Sequence, residues 1–74
     1  TSKGRMDIAV IFKDKVYLVE LKCNQPAAEA LRQIHEKGYA DKYRQSGRRI
    51  YLLGIGFDTQ QRVIGDWKLE PVEG

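Results

Sequence analysis

Two apolar segments near the N-terminus constrain the fold more than any other feature of the chain. Residues Met6–Phe12 and Val16–Lys22 are rich in β-branched and aromatic side chains, and only Lys13-Asp14-Lys15 separates them. This spacing predicts a β-hairpin. Both strands are apolar on both faces, so we expect them to be central strands of a sheet that is covered on each side.

The segment after the hairpin predicts one helix and a short second one. Residues Pro26–Lys37 carry apolar side chains at i, i+3, i+4 and i+7, which is the pattern of a helix with one buried stripe. We expect Asn24-Gln25-Pro26 to supply a polar cap and a proline at the helix start. Gly38 then acts as a C-terminal cap or a kink, and Tyr39–Arg44 can form a further helical piece.

The last third of the chain predicts two strands. Ile50–Phe57 carries large apolar side chains on one face and two small residues on the other, and these, Gly54 and Gly56, suggest close approach by a helix or a neighbouring backbone. Arg62–Leu69 alternates between apolar and polar residues, with Val63, Gly65, Trp67 and Leu69 expected on one side. The order of elements, ββαββ with an optional second helix, indicates an α/β fold with a mixed sheet.

Composition limits the class of protein. The chain has 74 residues, 42% of them hydrophobic, so we expect a single small domain spanning residues 1–74. The longest apolar run, Ile8–Phe12, is too short to cross a membrane. One cysteine, Cys23, excludes an intrachain disulfide, which makes a reducing cytoplasm the default compartment. Because the chain begins at Thr1 rather than methionine, we expect it to be a piece of a longer protein.

Ionisable residues within the apolar hairpin are the main candidates for chemistry. Glu20 and Lys22 are two residues apart, so they project from one face of their strand. An even hairpin loop, such as a two-residue Asp14-Lys15 turn, places Asp7 opposite Lys22 and diagonal to Glu20 on that face. An odd loop without a bulge puts Asp7 on the other face and separates the three groups.

Two carboxylates and an ammonium group on one sheet face suit metal-dependent hydrolysis of a phosphodiester. Carboxylate oxygens are hard ligands for Mg²⁺, and a lysine beside the attacking water can orient it and offset the charge that develops on phosphorus. The same three residues also fit an ion-pair cluster at the end of a sheet. Spacing alone does not separate these two interpretations.

The arrangement resembles the PD-(D/E)XK nuclease superfamily, over roughly residues 3–68. The residues that carry the resemblance are Gly4-Arg5-Met6-Asp7, Glu20-Leu21-Lys22, Gln33-Ile34, Gly38-Tyr39 and the strand Ile50–Phe57. The resemblance implies a restriction-endonuclease-like core that cleaves nucleic acid, with DNA expected, using Mg²⁺ or Mn²⁺. It assigns metal binding to Asp7, Glu20 and the Leu21 carbonyl, and catalysis to Asp7, Glu20 and Lys22. It is strongest to bacterial domains that follow an AAA-type ATPase-like region in the same parent chain.

The chain departs from the superfamily pattern in two respects. The superfamily core usually begins with a helix and a strand that have no counterpart before Met6, which implies an N-terminally truncated domain. Such a fragment exposes a strand edge with which a second copy can pair, so we expect a homo-oligomer. Some subfamilies also carry a Gln-x-x-x-Tyr helix motif, whereas here Gln33 is followed by tyrosine only at Tyr39. These two residues are therefore accessory candidates.

A basic cluster around the second helix offers a possible contact with a phosphate backbone, although a solvated loop explains it equally well. Its members are Lys42, Arg44, Arg48 and Arg49. Residues 1–49 hold 11 basic and 6 acidic side chains, whereas residues 50–74 hold 2 and 4. Two alternatives to a nuclease remain, namely a non-catalytic module that binds nucleic acid or protein beside an ATPase, and a dimerisation domain.

Overall fold

The computed structural model describes the backbone of residues 5–72 and the side chains of residues 8–72. Its elements are β1 (Arg5–Phe12), β2 (Lys15–Cys23), α1 (Ala27–Lys37), a 3₁₀ helix (Tyr39–Ser46), β3 (Arg49–Asp58) and β4 (Val63–Pro71). The second helical piece is therefore a 3₁₀ helix and extends two residues beyond the predicted end. Neither helix in this part of the chain has the length and apolar character needed to cross a membrane.

The four strands form one mixed sheet in the order β1-β2-β3-β4. Pairing is antiparallel between β1 and β2, parallel between β2 and β3, and antiparallel between β3 and β4. The parallel pair needs a crossover, which α1 and the 3₁₀ helix supply. The predicted α/β fold class is confirmed, and it is compatible with a restriction-endonuclease-like core.

One face of the sheet packs against the helices and contains the core. Burial alternates along β2 and β3, so that every second side chain points towards α1. α1 buries a stripe of side chains at helical spacing against this face. The core cluster consists of Val16, Leu18, Leu31, Ile34, Ala40, Ile50 and Leu52.

The other face of the sheet, which we call the open face, is not covered within residues 5–72. Trp67 is 64% exposed and Ile64 is 56% exposed on it, and Leu69 is also exposed. β1 is an edge strand, and its Phe12 is 60% exposed. The prediction that both hairpin strands are central is therefore correct for β2 and wrong for β1. The prediction that both faces of the sheet are covered is wrong for the open face within residues 5–72.

The hairpin turn fixes the register of β1 against β2. Phe12 pairs with Lys15, so the two-residue turn is Lys13-Asp14 rather than the Asp14-Lys15 turn given as the example of an even loop. Lys13 adopts a left-handed φ of 56°, as a tight hairpin turn requires. The loop is even, and the pairing is shifted by two residues from that example: Asp7 stands opposite Glu20 instead of opposite Lys22.

The start of α1 is capped from a distant strand. Pro26 occupies the cap position and contributes no side-chain hydrogen bond, so the predicted local cap is wrong. Instead the Ala27 N–H donates to both carboxylate oxygens of Asp66 on β4, at 3.1 and 3.2 Å. Asn24, in the loop before α1, is also bound from a distance: its Nδ2 donates a 2.8 Å hydrogen bond to the hydroxyl of Thr59 in the β3–β4 turn. The carboxylate satisfies a donor that the helix leaves unpaired and complements its positive end.

Glycines in β3 let α1 lie directly on the sheet, as predicted. A Cβ atom at Gly54 would stand 2.6 Å from the Ala27 carbonyl oxygen and 3.0 Å from Leu31 Cγ. A Cβ atom at Gly56 would collide with Asp66 Oδ1 and the Gln25 carbonyl oxygen. Only glycine permits this approach.

A bulge between β3 and β4 changes which residues of β4 share a face. The register shifts at Gly56 and Phe57, so that Phe57 pairs with Ile64 while Ile55 pairs with Trp67. Ile64 therefore joins Trp67 on the open face, and the predicted strict alternation of β4 is wrong before Asp66. An extra residue on one strand reverses the alternation in this way.

Candidate functional site

Glu20 and Lys22 lie on the helix-covered face of β2, where the sequence places them together. Glu20 is 0% exposed and is the single charged residue in the described core, whereas Lys22 is half-buried. In the parallel pairing Glu20 stands beside Gly54 and Lys22 beside Gly56. Because these two glycines let α1 approach the sheet, the helix covers the Glu20 carboxyl.

Burial of Glu20 has a considerable cost. Even after relaxation, moving a carboxylate into a protein interior costs several kcal/mol, unless a cation, a proton or a set of donors compensates it. Natural cores rarely accept such a group. A carboxyl held at this depth beside a lysine is the kind of group that functional sites contain.

Asp7 enters the candidate site through the backbone register. Its position on β1 is directly opposite Glu20, and Arg5 is opposite Lys22. Residues opposite each other in an antiparallel pair have Cβ atoms about 4.5–5.5 Å apart. The Asp7 side chain lies outside the described residues, so its predicted metal-binding role stays a prediction.

Leu21 lies between the two charged residues of β2 and is half-buried. Its backbone pairs with Met6 on one side and with Ile55 on the other. Coordination of a metal by its carbonyl oxygen also stays a prediction.

Gln33 approaches from the helix layer. It is half-buried, and its Oε1 is fully buried with no hydrogen-bond partner among the described residues. His35 on the same helix contacts Glu70 of β4 at 2.7 Å. Since residues two apart on a helix project about 160° away from each other, Gln33 lies on the flank of α1 turned away from β4, towards β2 and β1.

Tyr39 begins the 3₁₀ helix and packs against the core cluster. Together with Leu18 and Val19 of β2 it lines a cavity of about 200 Å³, which also touches Ile8 and Ala9 of β1. Leu18 is two residues before Glu20, so Tyr39 lies next to the candidate site along the sheet. The accessory pair of Gln33 and Tyr39 is thus brought to the β1 and β2 side of the helix layer.

Glu29 is a half-buried acidic residue in the first turn of α1, and sequence reasoning did not identify it as a candidate. Its carboxylate accepts hydrogen bonds from Arg32, the shortest of them 2.6 Å, from Nη2. These bonds lower the pKa of Glu29, and the positive charge of Lys22 lowers it further. Glu29 is therefore a second acidic group close enough to interact with Lys22. The sequence signal that could have identified it is its position in the first turn of α1, shortly after the end of β2.

The predicted basic cluster is exposed and lies towards the opposite end of β2 and β3 from Lys22. Arg44, Arg48 and Arg49 line one cavity of about 430 Å³. Lys42 instead lines the cavity beside Tyr39, with its Nζ 5.5 Å from the centre of the Tyr43 ring. The structure adds Lys13 and Lys15, because the hairpin turn meets the start of β3 there.

The donor set at the candidate site suits a divalent cation of the Mg²⁺ class. Glu20 contributes carboxylate oxygens, and the buried Oε1 of Gln33 on the neighbouring helix is a further oxygen of the kind that Mg²⁺ and Mn²⁺ prefer. Among the side chains of residues 8–72, no group of three or more His, Cys, Asp or Glu could hold a metal ion. The two predicted carboxylate ligands are Asp7 and Glu20, and the side chain of Asp7 lies outside residues 8–72.

Comparison with known proteins matches the chain to a family and to a relative of greater length. Residues 1–67 match the PD-(D/E)XK nuclease superfamily. The protein called "Uncharacterized protein in vnfD 5'region", from Azotobacter chroococcum mcd 1, is 46% identical over 72 residues. The match covers 95% of this chain and 14% of that protein, so the chain spans about one seventh of its relative's length. No solved structure gives a significant match.

Proposed function

Because this chain belongs to the PD-(D/E)XK nuclease superfamily, we propose that it hydrolyses phosphodiester bonds in DNA with the help of Mg²⁺ or Mn²⁺. The observation that carries the proposal is the complete burial of Glu20, opposite Asp7 in the register and two residues before Lys22. An ion-pair cluster at a sheet end has no need to place a carboxylate under a helix. For a carboxylate that binds a metal, exclusion of water strengthens the interaction with the cation.

Asp7, Glu20 and the Leu21 carbonyl are the groups that would hold the cation. When bound, it would polarise the phosphate and lower the pKa of a coordinated water. Glu20 is held in place by the packing of α1 over Gly54, so its oxygens need little reorganisation. Gln33 Oε1 can accept a hydrogen bond from a water beside the metal.

Lys22 is the proposed partner of the attacking water. Its half-buried ammonium group lies on the same face as Glu20, at the level of Gly56. It can orient the water and offset the negative charge that grows on the phosphate oxygens in the transition state. The negative charge of Glu29 attracts this ammonium group, which helps to hold it at the edge of the site.

The test is a cleavage assay on the full-length protein, with linear and circular DNA as substrates and with Mg²⁺ or Mn²⁺ as the metal. We expect Asp7→Asn, Glu20→Gln and Lys22→Ala each to lower the rate by at least about 100-fold. Matched controls are Glu70→Gln and Lys68→Ala, which remove the same groups from β4. Cleavage that survives in the first three variants, or that falls equally in the controls, contradicts the proposal.

A second candidate function, self-association through the sheet, is favoured by the edge strand β1 and the open face. The groove on that face is lined by Tyr17, Leu53, Ile55, Ile64, Trp67 and Leu69, an entirely apolar set. Exposed apolar patches of this kind mark interaction surfaces. If the protein forms a homodimer, its mass in sedimentation equilibrium should rise with concentration, and Trp67→Glu should abolish that rise. A protein that is monomeric at all concentrations contradicts this second function.

An AAA-type ATPase-like region in the parent chain and a cytoplasmic location are further parts of the proposal that rest on resemblance and composition.

A further inference from the structure

A concentration of positive charge lies where the hairpin turn meets the start of β3. Residues 13–15 and 41–49 hold six cations and two carboxylates, whereas the whole chain carries a net charge of +3. The rest of the chain is therefore slightly acidic. We call this surface the basic end, and its cations are Lys13, Lys15, Lys42, Arg44, Arg48 and Arg49.

Backbone contacts fix the two segments of the basic end against each other. The Arg49 N–H donates to the Asp14 carbonyl oxygen at 2.8 Å, and Arg48 Nε donates to the Lys13 carbonyl oxygen at 3.2 Å. Lys15 stands beside Arg49 in the register of β2 and β3. Like charges side by side on neighbouring strands cost stability. Asp14 accepts a hydrogen bond from Lys15 at 3.2 Å and so offsets part of this repulsion, and a polyanion bound at this end would offset the rest.

The basic end has a shape that suits phosphate groups. Three guanidinium groups, those of Arg44, Arg48 and Arg49, border a cavity of about 430 Å³ whose remaining lining includes Ile50 and Val72. Planar guanidinium forks bind phosphate oxygens through two parallel hydrogen bonds. An acidic peptide lacks the regular spacing of charge that a nucleic-acid strand would present to several arginines at once.

The basic end and the candidate site are connected along one side of the sheet. Lys42 lines the cavity beside Leu18, which is two residues before Glu20 and three residues after Lys15. At about 3.3 Å per residue, Lys15 lies about 17 Å from Glu20 and about 23 Å from Lys22. A duplex rises 3.4 Å per base pair, so these distances correspond to about five to seven base pairs.

We propose that the basic end binds the phosphate backbone of the nucleic acid about five to seven base pairs away from the bond that is cut. This inference rests on the proposed function for the position of the cut, whereas binding itself does not need catalysis. The inference predicts that the affinity of the protein for duplex DNA rises as the duplex is lengthened on one side of the cleaved bond. The affinity should level off once that side is about seven base pairs long.

The first experiment measures binding without cleavage. Fluorescence anisotropy in EDTA, with labelled duplexes of increasing length and over a range of salt, compares the protein with Arg44→Gln/Arg49→Gln. The control, Arg62→Gln/Lys68→Gln, removes two exposed cations from the β3–β4 turn and β4. We expect the slope of log K against log salt to fall by about two in the first variant and to change little in the control. Equal slopes in the two variants, or equal competition by polyglutamate, overturn the inference.

The second experiment separates this inference from the proposed function. Bis(p-nitrophenyl) phosphate is too small to reach from the candidate site to the basic end, so Arg44→Gln/Arg49→Gln should hydrolyse it at the unaltered rate while cleaving long duplexes more slowly. Lys22→Ala should lose hydrolysis of both substrates and lower the salt slope of binding by at most about one, half the change expected for the arginine variant. A small-substrate rate that falls in the arginine variant as much as the duplex rate contradicts a separate backbone-binding surface.

Discussion

Replacing Gly54 with alanine tests whether the close approach of α1 to the sheet is what covers Glu20. The new Cβ would lie 2.6 Å from the Ala27 carbonyl oxygen and 3.2 Å from the Leu31 backbone nitrogen. Ordinary van der Waals contact begins at about 3.4 Å, so the helix backbone has to move away by about 0.8 Å. A gap of that size forfeits a quarter to a half of the dispersion energy of the contacts it opens.

The expected cost of this displacement is about 1–3 kcal/mol, the usual range for an overpacked core. For a domain of this size, each kcal/mol lowers the melting temperature by about 4–8 °C. Gly65→Ala is the matched control, because the nearest atom to its new Cβ is the Gly56 carbonyl oxygen at 3.5 Å and its φ is not positive. Thermal unfolding followed by circular dichroism should show a drop of at least about 4 °C for Gly54→Ala and almost none for Gly65→Ala. Equal melting temperatures for the two variants refute the reasoning.

Three further predictions concern single side chains. Asp66→Ala leaves the Ala27 N–H without its acceptor, which should lower the free energy of unfolding by about 1 kcal/mol in urea denaturation, with Asp66→Asn intermediate. Glu20→Gln should no longer bind Mn²⁺ when binding is measured by calorimetry. Its melting temperature should stay the same or rise, because the substitution removes a buried charge. A large loss of stability contradicts this prediction. The pKa of Glu29 lies below its ordinary 4.5, because Arg32 donates to its carboxylate. The contribution of Glu29 to stability is therefore fully present above pH 4.5 and is lost as the pH falls through the lowered pKa; in Arg32→Gln that acid-side loss should begin at a higher pH.

Local patterns in the sequence are sufficient to predict most of the fold. Runs of apolar, β-branched and aromatic residues mark β2 and β3, and helical spacing marks the buried stripe of α1. Successive side chains of a strand point to opposite faces, with a period of two. The pairing of Glu20 with Lys22 on one face follows from the same period. Gly54 and Gly56 in β3 correctly indicate close approach, because glycine inside an apolar strand is typical of places where another backbone comes near.

Features that depend on distant residues escape sequence reasoning. The cap of α1 comes from Asp66, 39 residues along the chain from Ala27, and no local pattern identifies such a partner. The exact hairpin register depends on which two residues form the turn, and Lys13-Asp14 differs from Asp14-Lys15 by a single position. Apolar residues on both faces of β1 predict that both faces are buried, yet Ile8, Val10, Ile11 and Phe12 are all exposed in the described part of the chain.

The parallel pairing of β2 with β3 also determines when the candidate site can exist during folding. The β1–β2 hairpin is local in sequence and can close within microseconds, and it already brings the backbones of Asp7 and Glu20 together. Burial of Glu20 has to wait for Gly54, which lies 34 residues later and joins the sheet only after the helical crossover is in place. A chain that has left the ribosome only as far as α1 therefore has its acidic residues paired but not enclosed. Pulse-labelling hydrogen exchange should show protected β1 and β2 amides before those of β3, so that the enclosure of Glu20 is the later of the two events.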